Sequence, residues 1–405
     1  MSAVVYPLNI RSARELAAAL DRLGADPRSN AYLQPKRCVR HFFIKQADFR
    51  AAAYMKQEML ARGGDAAVAK HVIDGKVQHS DVLLMGTDGQ LSAFLQKMEA
   101  MDCWGLREVR DALAEALRGA PTWVLPLPGG RELRLGGETK IMGILNLTDD
   151  SFHAASRVKS LDDLLERAAV MLRDGADVLD LGAESTRPGS KPLPEKEELA
   201  RLIPAVKALR AAFPNAVISA DTYKGNAALA AAEAGADIIN DVGGFGFDPA
   251  MLPCAVRSEL PYVLSHIKGT PEHMQDAPAY DDLLGELHLY FREKIEEAER
   301  AGLPRERLIL DPGLGFGKRA QDNLLILKEI ESLGVFGRPI LVGYSRKKFT
   351  GTLGDENEAG TWDARLTSAT AISALVEGRV QLTRVHDVRE NRRALLTAQA
   401  IREAF

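Results

Sequence analysis

Cysteine is scarce. Cys38, Cys103 and Cys254 are the only three in 405 residues, far apart and never in a Cys-x-x-Cys pair. That argues against a disulfide framework or a cysteine-only zinc site, and it fits a reducing cytoplasm. No apolar run approaches the roughly 18 residues of a membrane span. Charges enter the opening MSAVVYPLNIRSAREL too early for a signal peptide. An excess of one charge is missing too: 52 Lys and Arg against 56 Asp and Glu leave −4. Binding to nucleic acid or an anionic membrane through bulk charge is therefore not expected. What is present is ordinary for a folded chain, with 46% apolar and 27% charged residues. The length suggests two or three domains, and an α/β barrel alone uses about 250 residues.

Two halves differ in texture. Residues 1–119 mix short apolar runs, Val39–Ile44 and Val82–Met85, with helical stretches. In ADFRAAAYMKQEMLARGG, the spacing predicts a helix with Phe49, Ala53, Met55, Met59 and Leu60 on its apolar face and Gly63 at its C-terminus. This half reads as a smaller α+β domain. Its histidines, His41, His71 and His79, lack ligand spacing, and no catalytic constellation stands out. Residues 120–139 read as a hairpin and linker turning at Gly129–Gly130.

Residues 140–405 have a repeating rhythm of short apolar run and helix. The first helix is expected to start from Ser160 as N-cap, to bury Leu161, Leu164, Leu165, Ala168 and Leu172, and to stop at Gly175. The runs IMGILN, DVLDLG, VISAD, DIIND, PYVLSH, RLILD, PILVGYS and VQLTRVHD are apolar on both faces, as parallel strands covered on both sides are. Eight such runs alternating with helices predict a (β/α)8 TIM barrel. A doubly wound sheet competes, but no Gly-x-Gly-x-x-Gly turn follows the first run.

Each run ends in or near a polar residue: Asn146, Glu184, Asp221, Asn240 with Asp241, His266, Asp311, Ser345 to Lys347, and Arg384 with His386. Strand C-termini meet at one mouth of such a barrel, so these groups should surround one cavity. Asp221, Asn240 and Asp311 suit a flat, nitrogen-rich ring, whereas Arg187, Lys347, Arg384 and His386 suit phosphate. DPGLGFGK lacks the spacing of a phosphate-binding P-loop and reads alone as a strand-to-helix turn. Residues Ser185–Pro192 and Leu147–Arg157 read as mobile loops over the mouth.

In this order, IMGILNLTDDSF, LDLGAESTRPGS, ISADTYK, IINDVGG, HIKGTPEHMQ, DPGLGFGK, GYSRKKFTG and TRVHDV resemble the successive signatures of dihydropteroate synthases, over about residues 140–390. The resemblance implies a transferase of folate biosynthesis. Such an enzyme joins 6-hydroxymethyl-7,8-dihydropterin pyrophosphate to p-aminobenzoate, releases pyrophosphate with Mg²⁺, and is a sulfonamide target. It further implies that Asp221, Asn240, Asp311 and Lys347 hold the pterin. Asn146, Arg384 and His386 would hold the pyrophosphate, with Asn146 beside the metal. Phe152, Thr186, Arg187, Pro188, Phe316 and Lys347 would form the p-aminobenzoate pocket, and Asn146, Arg187, Lys347, Arg384 and His386 would be the catalytic set. A homodimer through the barrel helices and small-molecule substrates as the other partners are also implied. A long form with an N-terminal extension of unassigned role is the expectation.

The sequence departs from that pattern in places. Asp149 stands where proline is usual, the turn after Phe152 differs at His153, and Lys348 replaces a small hydroxyl residue. Ser265 and Ile267 flank His266 in place of methionines, and Ala220 replaces valine. A methyltetrahydrofolate-dependent methyltransferase and a non-catalytic pterin-binding protein are the alternatives. The SRK and RVH motifs weigh against the first. The joint presence of Asn146, Arg384 and His386 weighs against the second.

Overall fold

The computed structural model describes residues 13–117, 122–147, 157–184, 192–352 and 361–404, with the side chains of 157–160 and of residue 352 left aside. The chain divides into two compact units, Met1–Gly119 with Phe405, and Ala120–Ala404.

In the first unit, helices α1 (Ala13–Leu23) and α2 (Ser29–Leu33) precede strand β1 (Val39–Asp48). Helix α3 (Phe49–Leu60), strands β2 (Asp65–Val68) and β3 (His79–Thr87), and helices α4 (Asp88–Met98) and α5 (Leu106–Leu117) follow. The strands form an antiparallel sheet in the order β1–β3–β2. The Asp48 carboxylate caps α3 by accepting from the Arg50 amide at 2.9 Å. Thr87 and Gln90 form a reciprocal capping box at the start of α4. The buried stripe of α3 is Ala51, Ala52, Met55 and Met59, against Val82, Leu84 and Phe94. Leu60, expected inside, is exposed, because the helix turns its inner face by about one position toward the small alanines that let the sheet approach. Gly63 has the expected left-handed φ of +74°.

The second unit opens with a hairpin, β4 (Trp123–Leu127) and β5 (Arg131–Leu135), turning through Gly129 and Gly130 at φ of +72° and +73°. The hairpin does more than join the two units. Leu125, Leu127, Leu133 and Leu135 pack against Met142, Val178, Ile238, Val263, Ile309, Leu341 and Leu382 and plug the N-terminal end of the barrel. Each such leucine is worth about 1.5–3 kcal/mol of burial. Asp237, fully buried, pins the plug by pairing with Arg131 of the hairpin and with Arg210 at 2.5 Å.

The eight expected strands are all present: β6 (Lys140–Asn146), β7 (Val178–Gly182), β8 (Val217–Asp221), β9 (Ile238–Asp241), β10 (Tyr262–Ser265), β11 (Leu308–Asp311), β12 (Leu341–Gly343) and β13 (Leu382–Val385). All pair in parallel, in the order β11–β10–β9–β8–β7–β6–β13–β12. One isolated bridge, Leu310 beside Ile340, closes β11 onto β12. The helices between and after them are α6 (Arg157–Arg173), α7 (Glu195–Ala212), α8 (Gly225–Ala234), α9 (Met251–Ser258), α10 (Leu283–Ala301), α11 (Ala320–Lys328), α12 (Trp362–Val376) and α13 (Val388–Glu403). Ser160 is not an N-cap, because α6 already runs from Arg157. Leu164 and Ala168 face the core as expected, with Leu161, Leu165 and Leu172 packed beside them. Among the described residues, no helix is long and apolar enough to cross a membrane.

Candidate active site

Charged side chains that end fully covered strands have nowhere to go but the barrel mouth or its axis. Asp221 closes β8, Asn240 sits in β9, Asp311 closes β11, Lys347 follows β12 and Arg384 sits in β13. The structure gathers these five. Asn146 stands at the end of β6 beside Gly182 of β7, on the same rim. His386 follows β13, where the Ser345 hydroxyl accepts from its backbone amide at 3.2 Å and lies 3.1 Å from its ring Nδ1. Phe316 lies in the turn after β11, with Lys347 Nζ 4.3 Å from its ring centre. Phe152, Thr186, Arg187 and Pro188 fall outside the described residues, as do Asp149 and His153 and most of the two loops expected over the mouth.

Asp180 was not among the expected site residues, yet it organises the mouth. Fully buried within β7, it accepts from Arg384 Nε at 2.5 Å and from Asn240 Nδ2 at 3.1 and 3.3 Å. Arg384 also donates to Asp221 through Nη2. The guanidinium expected to face phosphate is thus held between two carboxylates. The Asn240 amide is fixed with its NH₂ toward Asp180, which leaves its carbonyl oxygen as the acceptor for a ring. A charge between Leu179 and Leu181 in a strand covered on both faces was the available signal for Asp180.

Burial and charge set the protonation states. Burial pushes the Asp221 carboxyl up to about 7, against the pull of Arg384. Burial likewise raises Asp311, opposed by Lys347, by the Gly313 amide 2.8 Å from Oδ1 and by Lys318. Lys347 is brought down to about 7 by burial, with Asp311 opposing. For Arg384, burial works against the charge, but Asp180 and Asp221 outweigh it and raise the guanidinium further.

The turn DPGLGFGK makes close backbone approaches. Gly313 and Gly317, at φ of +66° and +63°, leave no space for a β-carbon, which would run into the carbonyls of His266 and Lys268. Lys347 Nζ donates to the Leu314 carbonyl, and Gln275 to that of Gly315 at 2.7 Å. The SRK turn is fixed by Arg346, left-handed at φ of +59°, which pairs with Asp387 at 2.8 Å and lies 4.0 Å over Trp362. Glu184 does not join the anion-facing group. It accepts from Tyr223 at 2.5 Å and from Lys224, which also reaches the buried Glu198 at 2.5 Å. Lys348 is exposed.

Residues 142–386 match the family described as pterin binding enzyme. The dihydropteroate synthase of a Synechocystis species is 40% identical over 266 residues, covering 65% of this chain and 90% of that protein. A probable bifunctional folylpolyglutamate synthase/dihydropteroate synthase of Haloferax volcanii is 34% identical over 410 residues. That match takes in 98% of this chain, N-terminal unit included, but the chain spans only 48% of that relative. Among solved structures, a Yersinia pestis dihydropteroate synthase in a sulfonamide drug complex superposes with a TM-score of 0.63 at 38% identity, covering 70% of this chain and all of that one. A Xanthomonas albilineans dihydropteroate synthase with 4-aminobenzoic acid gives 0.63 at 36%, with the same coverage. Fold and site together define a pterin-binding (β/α)8 enzyme. More narrowly, the chain belongs to the dihydropteroate synthase family.

Proposed function

We infer that this chain is a dihydropteroate synthase. It condenses 6-hydroxymethyl-7,8-dihydropterin pyrophosphate with p-aminobenzoate to 7,8-dihydropteroate and releases pyrophosphate. The observation that carries this reading is the acceptor set of buried Asn240 and Asp311 and half-buried Asp221, with Arg384 and Lys347 on the same rim. The acceptors match the N–H edge of a pterin, and the cations match an anionic leaving group.

The aniline nitrogen is neutral near pH 7, so no strong base is needed for its attack. The difficult event is cleavage of the carbon–oxygen bond to pyrophosphate, and a dissociative, S_N1-like substitution follows. Asp221 and Asp311 hold negative charge beside a ring whose methylene carbon turns cationic. Arg384 and His386 bind the leaving oxygens, and the amine then forms the new C–N bond and sheds its proton. Phe316 and Lys347, with Phe152, Thr186, Arg187 and Pro188, receive the aromatic amine.

Among the described residues, no group of three His, Cys, Asp or Glu is placed to hold a metal. The Asn146 amide oxygen on the rim is a hard ligand of the kind Mg²⁺ takes, and this ion commonly keeps only one or two protein ligands beside water and substrate phosphates. When bound, it would neutralise charge on the departing pyrophosphate. A cytoplasmic homodimer belongs to the same reading. Leu325, Leu375 and Leu396, exposed on α11, α12 and α13, support the pairing, and three free cysteines support the compartment. The test is pyrophosphate release by the full chain with both substrates, with and without Mg²⁺. Metal-dependent release is expected. A folded sample that releases none would overturn the reading.

A further inference from the structure

Behind the mouth lies a charge that the mechanism leaves unused. Lys318 is 2% exposed. Its Nζ lies 2.8 Å from His266 Nδ1, 3.1 Å from the Phe316 carbonyl oxygen and 3.4 Å from that of His266. Among the described residues it pairs with no carboxylate. The imidazole is itself 93% buried (7% exposed), set edge-on against Tyr290 at 4.8 Å. The His266 amide donates to the Asp311 carbonyl at 2.9 Å, so the ammonium, the imidazole and Asp311 form one unit joining β10 to β11. Holding a turn does not require an ion here. A glutamine could donate to the same carbonyl, whereas burying a lysine without a carboxylate partner works against its charge.

We propose that Lys318 is a positioning residue for the pterin: seated on His266 and the Phe316 carbonyl, its ammonium fixes the turn after β11 and sets positive charge behind the Asp311 carboxylate that accepts from the ring. The proposal rests on the synthase reading. The charged groups acting on Asp311 are Lys347 and Lys318, with Arg384 beyond them. Those acting on Lys318 are Asp311, Lys347, Asp322 and Lys268. His266 adds no charge, since burial and Lys318 take its pKa down to about 2. Burial brings Lys318 itself down to about 7, so its influence on Asp311 is present on the acid side and fades above neutrality.

The experiment is calorimetric titration of the full chain with a pterin lacking phosphates, from pH 5 to pH 8, in wild type, Lys318→Gln and Lys318→Arg. The amide keeps a donor for Phe316 but no charge, and the guanidinium keeps the charge. In Lys318→Gln the carboxyl of Asp311 protonates at higher pH. Affinity is therefore expected to fall roughly tenfold below wild type at the acid end of the range. The gap should close by pH 8, and Lys318→Arg should follow wild type. Asp221 titrates in both proteins and cancels in the ratio. Lys318→Met gives the same comparison if the amide variant does not fold. A deficit of equal size at every pH, or none at any, overturns the proposal. A wild-type chain that binds no pterin instead overturns the synthase reading.

Discussion

Arg384 Nε donates to Asp180 at 2.5 Å, reaching past the intervening strand β6 into the barrel. The same guanidinium donates to Asp221. The sequence suggests two separable halves, acceptors for a ring and cations for phosphate, but here one cation belongs to both.

The pterin and pyrophosphate contributions should therefore not add. Arg384→Ala leaves buried Asp180 and half-buried Asp221 without their shared cation, and Asp221→Ala frees the guanidinium from one of them. In a double-mutant cycle read by calorimetry with a phosphate-free pterin, a coupling of roughly 0.5–3 kcal/mol is expected, as for residues in one charged network. Additive losses would show that the halves act independently.

Binding should also move protons. A ring that places its donors on Asp221 needs that carboxyl ionised, whereas burial holds its pKa at about 7 in the empty site. Below pH 7, pterin binding must release a proton, and affinity should rise with pH by up to about tenfold per unit. Above pH 7 the loss of the Lys347 ammonium turns the profile down. Titrations in buffers of different ionisation heat check the sign, and a flat profile would refute it. In the empty protein the raised pKa favours folding most below the ordinary 3.8, and that benefit is lost as pH climbs through about 7. Asp221→Asn should accordingly gain in Tm over wild type as pH rises across that window.

The plug makes a prediction about stability alone. Asp237 is fully buried beneath Arg131 and Arg210, at the end of the barrel opposite the mouth. Asp237→Ala removes the carboxylate that both guanidiniums share, although Arg210 keeps the carbonyls of Pro214, Ala216 and Gly235. A loss of about 1.5–3 kcal/mol is expected from denaturant unfolding, the range for a hydrogen bond to a charged group, because both guanidiniums stay partly exposed, with kcat at low temperature unchanged. A changed kcat in the folded variant would mean that the plug reaches the site.

The barrel was legible in the sequence because its strands are short, apolar on both faces and regularly spaced. The rim residues were legible because a polar side chain ending such a strand has only one cavity to enter. Asp180 escaped because it sits within its strand, one turn of the pleat below the rim, where an apolar neighbour is the usual expectation. Lys318 escaped for a different reason. Its motif reads as a turn, and only the packed fold shows that its ammonium folds back onto His266. Ser160 misled because a good capping residue is also tolerated inside a helix that tertiary packing extends.

The closure of β11 on β12 is the barrel's thinnest seam, a single bridge at Leu310 and Ile340 where other neighbouring strands share ladders. Directly above it, Lys347 from one side clasps the Leu314 carbonyl from the other. A ring held by both Asp311 and Lys347 would straddle that gap. The substrate then acts as a stave hoop: when it arrives, the breathing of the cylinder at this line is quieted, and when dihydropteroate leaves, the line loosens again. Slowed amide exchange at Leu310, whose NH donates to the Pro339 carbonyl across the gap at 2.8 Å, would be the trace of each turnover's grip.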